Sequence, residues 1–119
     1  MIFIFGGAYQ GKREFAEKEF NIKEGDDRLI YGLHEWIRSL VEDARDTDVA
    51  VDALLDDVRD RESKGEEVVI VMNDVSQGLV PMDPVDRAFR EANGRAMIKL
   101  AANASSVYRI FCGIGVKIK

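Results

Sequence analysis

Cysteine is almost missing from this chain of 119 residues, with Cys112 standing alone. An internal disulfide is therefore excluded, which agrees with a reducing compartment. Long apolar runs are missing too. None approaches the roughly 20 residues a membrane helix needs, so no membrane partner is expected. The apolar start is too short for a secretory signal and has no basic region before it; the expected location is cytoplasmic. Positive charge is in short supply, with 17 Lys and Arg against 22 Asp and Glu and a net charge of −5. Such a chain has no basic excess to neutralise a nucleic-acid backbone, so non-specific nucleic-acid binding is excluded. Internal repeats, linkers and low-complexity segments are also missing, and we expect one domain over residues 1–119.

What is present alternates between two periodicities. Ile2–Phe5 is an apolar run that predicts a buried strand, and Lys12 to about Phe20 a helix with Phe15, Ala16 and Phe20 on one face. Asn21–Asp27 is polar and predicts a loop, and Arg28–Tyr31 a short strand. Leu33, Trp36, Ile37, Leu40, Val41 and Ala44 recur at helical spacing. Asp46–Asp48 breaks that pattern and offers N-cap residues for a helix bearing Val51, Leu54, Leu55 and Val58. Val68–Met72, the run VVIVM, suits a central parallel strand. Asp83-Pro84 is an N-cap followed by proline at the first helical position. The helix after it should bury Val85, Ala88, Phe89, Ala92, Ala96 and Leu100. Val107–Cys112 predicts a last core strand, and Val116–Lys119 an added edge strand. Strands separated by helices imply βαβ units. The fold class is therefore α/β, three-layered, with a mainly parallel sheet of about four strands.

The first strand runs into Gly6-Gly7-Ala8-Tyr9-Gln10-Gly11-Lys12-Arg13. This is G-x-x-x-x-G-K, a phosphate-binding P-loop pattern in which glycines turn backbone N–H groups inward and the lysine reaches the β- and γ-phosphates. The helix that starts near Lys12 adds its positive end. Gly6, Gly7, Ala8, Tyr9, Gln10, Gly11, Lys12 and Arg13 are thus candidate nucleotide-phosphate ligands. The pattern ordinarily ends in a Ser or Thr that holds Mg²⁺. Arg13 stands there instead, which argues against a Mg²⁺ cofactor and offers no metal ligand. Arg13 is either a solvated helix residue or a guanidinium substituting for metal charge.

Asn73 and Asp74 follow the VVIVM strand and open a loop that contains Gly78 and Pro81. Polar residues at a strand's carboxyl end can reach a ligand, or they can satisfy their own turns. His34, the single histidine, lies on a helical segment without an evident acid partner and reads as structural or surface. Glu42–Glu62 holds nine acidic and three basic residues. It reads as a solvated helical face, and it is the best candidate for a surface that recognises basic groups.

With these residues in view, the chain resembles the adenosylcobinamide kinase/adenosylcobinamide-phosphate guanylyltransferase family of cobalamin biosynthesis, a P-loop family. Those proteins open with a loop like GGARSGKS followed by R-F-A-E; this chain has GGAYQGKR, then Glu14-Phe15-Ala16-Glu17. A family segment like VSNEVGxGIVP appears here as Val71-Met72-Asn73-Asp74-Val75-Ser76-Gln77-Gly78-Leu79-Val80-Pro81. The family's R-x-F-R-x-x-x-G-R corresponds to Arg87-Ala88-Phe89-Arg90 with Gly94-Arg95, and its G-x-P-x-x-K to Gly113 through Lys117. The resemblance covers residues 1–20 and 66–119 best.

The resemblance implies purine-nucleotide binding (GTP or ATP), a possible corrinoid ligand and a homo-oligomer. It also exposes departures. The family's histidine-bearing segment, whose histidine receives GMP, is reduced here to the short bridge Asn21–Arg28. The family's V-D-C-L-T-L-W-L matches Ile30 to Ile37, so its metal-associated aspartate is Tyr31 and His34 falls on a threonine position. The expected function is a divergent, shortened relative that binds nucleotide phosphates with catalysis reduced or lost, and no catalytic residue is identified. The alternatives are an active adenosylcobinamide kinase with a rearranged metal site, and a non-catalytic structural or regulatory partner that binds no nucleotide.

Overall fold

The computed structural model describes residues 1–75 and 82–119. Its elements are β1 (Ile2–Gly6), α1 (Lys12–Glu19), β2 (Leu29–Tyr31), α2 (Leu33–Glu42), α3 (Thr47–Ser63), β3 (Val69–Asn73), α4 (Pro84–Asn103), β4 (Ser106–Phe111) and β5 (Ile114–Lys117). They form a sheet of five strands in the order β2-β3-β1-β4-β5. The sheet therefore has the expected four parallel strands with an edge strand added to them. β1, β2, β3 and β4 are parallel, and β5 returns antiparallel to β4. The turn between β4 and β5 uses Cys112 and Gly113, at φ of 52° and 77°, and such paired positive φ values suit a tight hairpin. The expected edge strand thus starts at Ile114, earlier than Val116.

Side-chain alternation in the central strands builds the three layers. Ile2 and Ile4 of β1 and Val69 and Val71 of β3 pack with Ala16 of α1 on one face. Phe3, Ile70 and Met72 point to the other face, where they meet Leu33, Ile37, Val51, Leu55, Phe89, Ala92, Ala96 and Leu100 of α2, α3 and α4. Strands covered on both faces need apolar residues at every position, which explains the unbroken runs IFIF and VVIVM.

Two helix starts follow the sequence signals. Asp46 accepts a bond from the Val49 N–H at 3.1 Å, and Asp83 accepts from the Val85 N–H at 2.8 Å ahead of Pro84. Each cap of this kind is worth about 1 kcal/mol. The expected buried stripe of α4 needs a correction: Val85 and Ala88 are exposed, and the burial begins at Phe89. The first turn of α4 meets α2 through charge instead, with the Arg38 Nη2 donating to Asp86 Oδ1 at 2.8 Å. Phe111, Ile114, Val116 and Ile118 on the β4–β5 side are also exposed.

Two glycines allow opposite predictions. A Cβ at Gly6 would lie 2.5 Å from the Ile110 carbonyl oxygen, a backbone atom that cannot swing aside. A Cβ at Gly94, inside α4, would meet nothing within 4 Å. Gly6→Ala should destabilise the fold by about 1–3 kcal/mol, and Gly94→Ala should stabilise it by about 0.5–1 kcal/mol. Urea unfolding midpoints should therefore move in opposite directions; an unchanged midpoint for Gly6→Ala would contradict the close approach of β1 and β4.

Candidate functional site

Because β1, β2, β3 and β4 are parallel, their carboxyl ends share one edge of the sheet. Ligands in such sheets bind at that edge. β1 ends at Gly6, whose carbonyl accepts the Asp74 N–H at 2.9 Å. The chain then loops through Gly7–Gly11 into α1. Gly11 is left-handed, with φ 85°, and caps α1 without any side-chain bond. The first N–H groups of α1 consequently have no side-chain acceptor from the cap, which is the usual condition for receiving an anion.

Lys12, the first residue of α1, is 5% exposed. Its Nζ donates to the Gly7 carbonyl at 2.6 Å, closing the loop on itself. Burial lowers the Lys12 pKa from the ordinary lysine value, and the carboxylate of Glu14 opposes that shift. Gln10 fastens the loop from outside. Its Oε1 accepts the Cys112 N–H at 2.7 Å, and its carbonyl accepts the Gly113 N–H at 2.8 Å. Tyr9, at φ 59°, projects fully into solvent from the loop.

Beside this loop lies a pocket of about 550 Å³. Ala8, Tyr9, Gln10, Gly11, Lys12, Arg13 and Glu14 form one wall, and Tyr31, His34, Glu35 and Asn73 form the other. Gly6 and Gly7 lie instead on a smaller recess of about 130 Å³ with Asp74 and Arg109. Of the residues expected in the second loop, Asn73 joins the main pocket and Asp74 the smaller recess. Gly78 and Pro81 lie outside the described residues.

The second wall contains residues that the sequence reading underrated. Gly32, left-handed at φ 75°, ends β2 and starts α2, so Tyr31, His34 and Glu35 gather at the carboxyl end of β2. His34 does serve a structural bond, since its Nδ1 accepts the Asn73 N–H at 3.1 Å. It also faces the pocket, and Glu35 lies 3.9 Å from its Nε2. Asn93 of α4, almost fully buried, donates from Nδ2 to the Asn73 carbonyl at 3.1 Å, and its Oδ1 has no partner among the described residues. Both backbone groups of Asn73 are thus held by side chains from other elements. The available signal was topological: the carboxyl end of β2 had to reach the same edge as Gly6.

Arg13 and Tyr31, far apart in sequence, are in contact. The Arg13 Cζ lies 4.9 Å from the Tyr31 ring centroid, and the Arg13 Nε lies 3.1 Å from the Glu17 Oε1. The acidic stretch on α3 is elsewhere and largely engaged. Asp48 pairs with Arg95 at 3.2 Å and Asp52 with Lys99 at 2.9 Å, joining α3 to α4. Asp56 and Asp60 pair with Arg59 and Lys64 on α3 and its end. Its carboxylates are therefore less available to an outside basic partner than the sequence suggested.

Burial pushes the His34 imidazole down from its ordinary pKa; Glu35 opposes this and Lys12 adds to it. Just below the ordinary value of about 6.5, the folded chain then binds fewer protons than the unfolded chain. The stabilisation is complete above that pH and is lost as pH falls toward the lowered value. Thermal unfolding followed from about pH 7.5 to about 5.5 should show falling stability with acid. His34→Asn, whose amide oxygen can still take the Asn73 N–H, should flatten that slope, and an unchanged slope would remove His34 as its source.

The comparisons with known proteins agree with this architecture. The family model for cobinamide kinase / cobinamide phosphate guanyltransferase, CobU, matches residues 22–118. The match includes the middle of the chain and begins just after α1, so the reading of the loop rests on its own pattern and geometry. The bifunctional adenosylcobalamin biosynthesis proteins CobU of Salmonella typhimurium and of Escherichia coli are each 47% identical over 53 residues. That stretch is 44% of this chain and 29% of each relative's length, so it spans less than a third of the relatives. With most of its length matched by the family model and its sheet in the P-loop NTPase arrangement, the chain belongs to the CobU family of cobalamin biosynthesis.

Proposed function

We propose that this protein holds the phosphates of a purine nucleotide, GTP or ATP, on the Gly6–Arg13 loop, and that its kinase and guanylyltransferase chemistry is reduced or lost. The observation that carries the binding half is the loop itself. A left-handed Gly11, an uncapped helix start and a buried Lys12 converge beside a pocket of about 550 Å³. Two cationic side chains, Lys12 and Arg13, line it. An anion would satisfy the helix N–H groups and offset the buried ammonium at once.

The catalytic half rests on side chains at the same place. Phosphoryl transfer depends on metal positioning and charge neutralisation. Position 13 supplies a guanidinium in place of a hydroxyl, and position 31 an aromatic ring in place of a carboxylate. His34, the single histidine, is committed through Nδ1 to the Asn73 N–H, so it is poorly placed to serve as a nucleophile from that atom. A rival reading also has support, because Glu14 and Glu35 line the pocket and carboxylates are magnesium ligands. That reading is an active cobinamide kinase with a rearranged metal site.

Calorimetric titration with GTP and ATP separates these readings when paired with an assay of phosphate transfer to cobinamide. Nucleotide binding is expected, with Lys12→Ala weakening it about tenfold to a hundredfold, the worth of a charge-assisted hydrogen bond. Transfer should be absent or slow. Equal binding by the parent and Lys12→Ala would overturn the loop assignment, and brisk transfer would establish the rival.

A further inference from the structure

P-loops ordinarily place a Mg²⁺-holding hydroxyl immediately after the lysine. In this chain that position brings a cation into the pocket. Arg13 follows Lys12 in α1 and, with Tyr31, lines the same pocket as the lysine. Its guanidinium is fixed from two directions. The Tyr31 ring lies against it, with Cζ 4.9 Å from the ring centroid, and Glu17 takes Nε at 3.1 Å. No described residue accepts a bond from its two terminal nitrogens. An arginine held this way keeps the planar donor edge that matches phosphate oxygens two at a time.

The charges around it set two cations against the two carboxylates that could hold a divalent metal. Mg²⁺ requires oxygen ligands in octahedral geometry. Among the described residues, no group of three or more His, Cys, Asp or Glu side chains is placed to share a metal ion. Glu14 and Glu35 line the pocket, but Lys12 and Arg13 bring two positive charges to the same space. A divalent cation there would be drawn by the two carboxylates and repelled by the two cations, and Arg13 already stands where the metal-holding hydroxyl ordinarily follows the lysine.

We propose that Arg13 is the built-in counter-cation of this site. With Lys12 it takes the terminal phosphate oxygens of a nucleoside di- or triphosphate that carries no divalent metal, and Tyr31 is the platform that orients the guanidinium. This rests on the phosphate-binding reading above and specifies which form of the ligand the site accepts. Arg13 and Mg²⁺ would then compete for the same oxygens, so added metal opposes binding or leaves it unaided. Tyr31 contributes as a positioning residue, because a guanidinium already stacked loses less freedom when it meets the phosphate.

The test is calorimetric titration of the full chain with GTP, once in excess EDTA and once in excess MgCl₂. The parent should bind at least as tightly in EDTA. Arg13→Gln should weaken binding in EDTA by about tenfold or more, as expected for loss of a charged donor. Arg59→Gln removes the same charge from α3, on the far side of the sheet, and should leave the affinity unchanged. Tyr31→Ala should cost about two- to fivefold, the worth of an exposed cation–π contact, and Tyr31→Phe should restore the affinity. The Arg13 and Tyr31 side chains are both about half exposed, so thermal unfolding should hardly move and any loss can be read as binding. Binding by the parent that requires MgCl₂ would overturn the proposal while leaving the phosphate loop standing. So would Arg13→Gln equal to the parent in EDTA while Lys12→Ala still weakens binding. Absence of GTP binding by the parent in both buffers would overturn both readings together.

Discussion

A lysine ammonium buried at the head of a helix is the constraint around which this structure is arranged. Lys12 sits at the end of α1 where peptide dipoles already leave positive charge, and it is almost wholly withdrawn from water. Both conditions oppose an ammonium. The chain answers with one short bond to the Gly7 carbonyl and with Glu14 nearby. The loop must therefore curl until its own carbonyl faces the helix start. That curl requires the left-handed Gly11. It also fixes where β1 ends, at a glycine pressed against β4. The Gln10 bonds to the β4–β5 turn hold the curl from outside. Even Phe15, one turn further along α1, is placed by this constraint: its ring fills the space over Gly115, where a Cβ would come within 2.2 Å of it. The edge hairpin thereby becomes part of the scaffold of the loop.

The opposite wall of the pocket depends on a different set of bonds. β2 has only three residues and pairs with β3 alone. A strand this short is weakly held by its ladder, so the junction into α2 needs other anchors. His34 provides one by accepting the Asn73 N–H, and Gly32 provides another through its N–H to the Val71 carbonyl at 3.0 Å. Asn93 reaches the same strand end from α4. α2 and α4 thus converge on Asn73 at the end of β3, and the pocket's second wall is held at one backbone residue. An imidazole in this role must stay neutral, because protonated Nδ1 has no lone pair to offer. The lowered His34 pKa agrees with that requirement.

Much of this fold was legible in the sequence because its strands are buried on both faces and its helix starts carry strong local signals. IFIF, VVIVM and Asp83-Pro84 each point to one structure whatever surrounds them. The start of the edge strand was less visible, since Ile114–Lys117 includes Gly115 and leaves Ile114 and Val116 exposed; its pairing with β4 depends on a tight turn at Cys112-Gly113. The loop half of the site was legible for the same local reason, as glycines and a lysine at fixed spacing before a helix. The other half was not. Tyr31, His34 and Asn93 acquire their roles from a sheet order that sends β2 past β3, and no spacing along the chain encodes that order. His34 lacked a partner acid in sequence and was read as structural. It is structural, and the same ring also lines the pocket, which only the tertiary arrangement brings out.

The chain's negative charge does not argue against an anion site, because charge acts over short distances. Screening at physiological salt limits exposed charges to about 8 Å. The acidic residues concentrate on α3, across the sheet from α1. Several are already engaged by Arg95, Lys99, Arg59 and Lys64. The pocket sees a different balance, with Lys12, Arg13 and the open end of α1 against Glu14 and Glu35. Glu17 is drawn to Arg13 Nε, which steadies the guanidinium without engaging its terminal nitrogens. The net charge of −5 therefore describes a molecule whose acidic side is largely self-paired, and whose sheet edge brings two cations, Lys12 and Arg13, to one pocket. Arg13 and Tyr31 meet there, with the Arg13 Cζ 4.9 Å from the Tyr31 ring centroid. A substitution at either position alone would leave a charge without a platform or a ring without a cation; together they form one contact, the one that the proposed metal-free site would use in place of an ion.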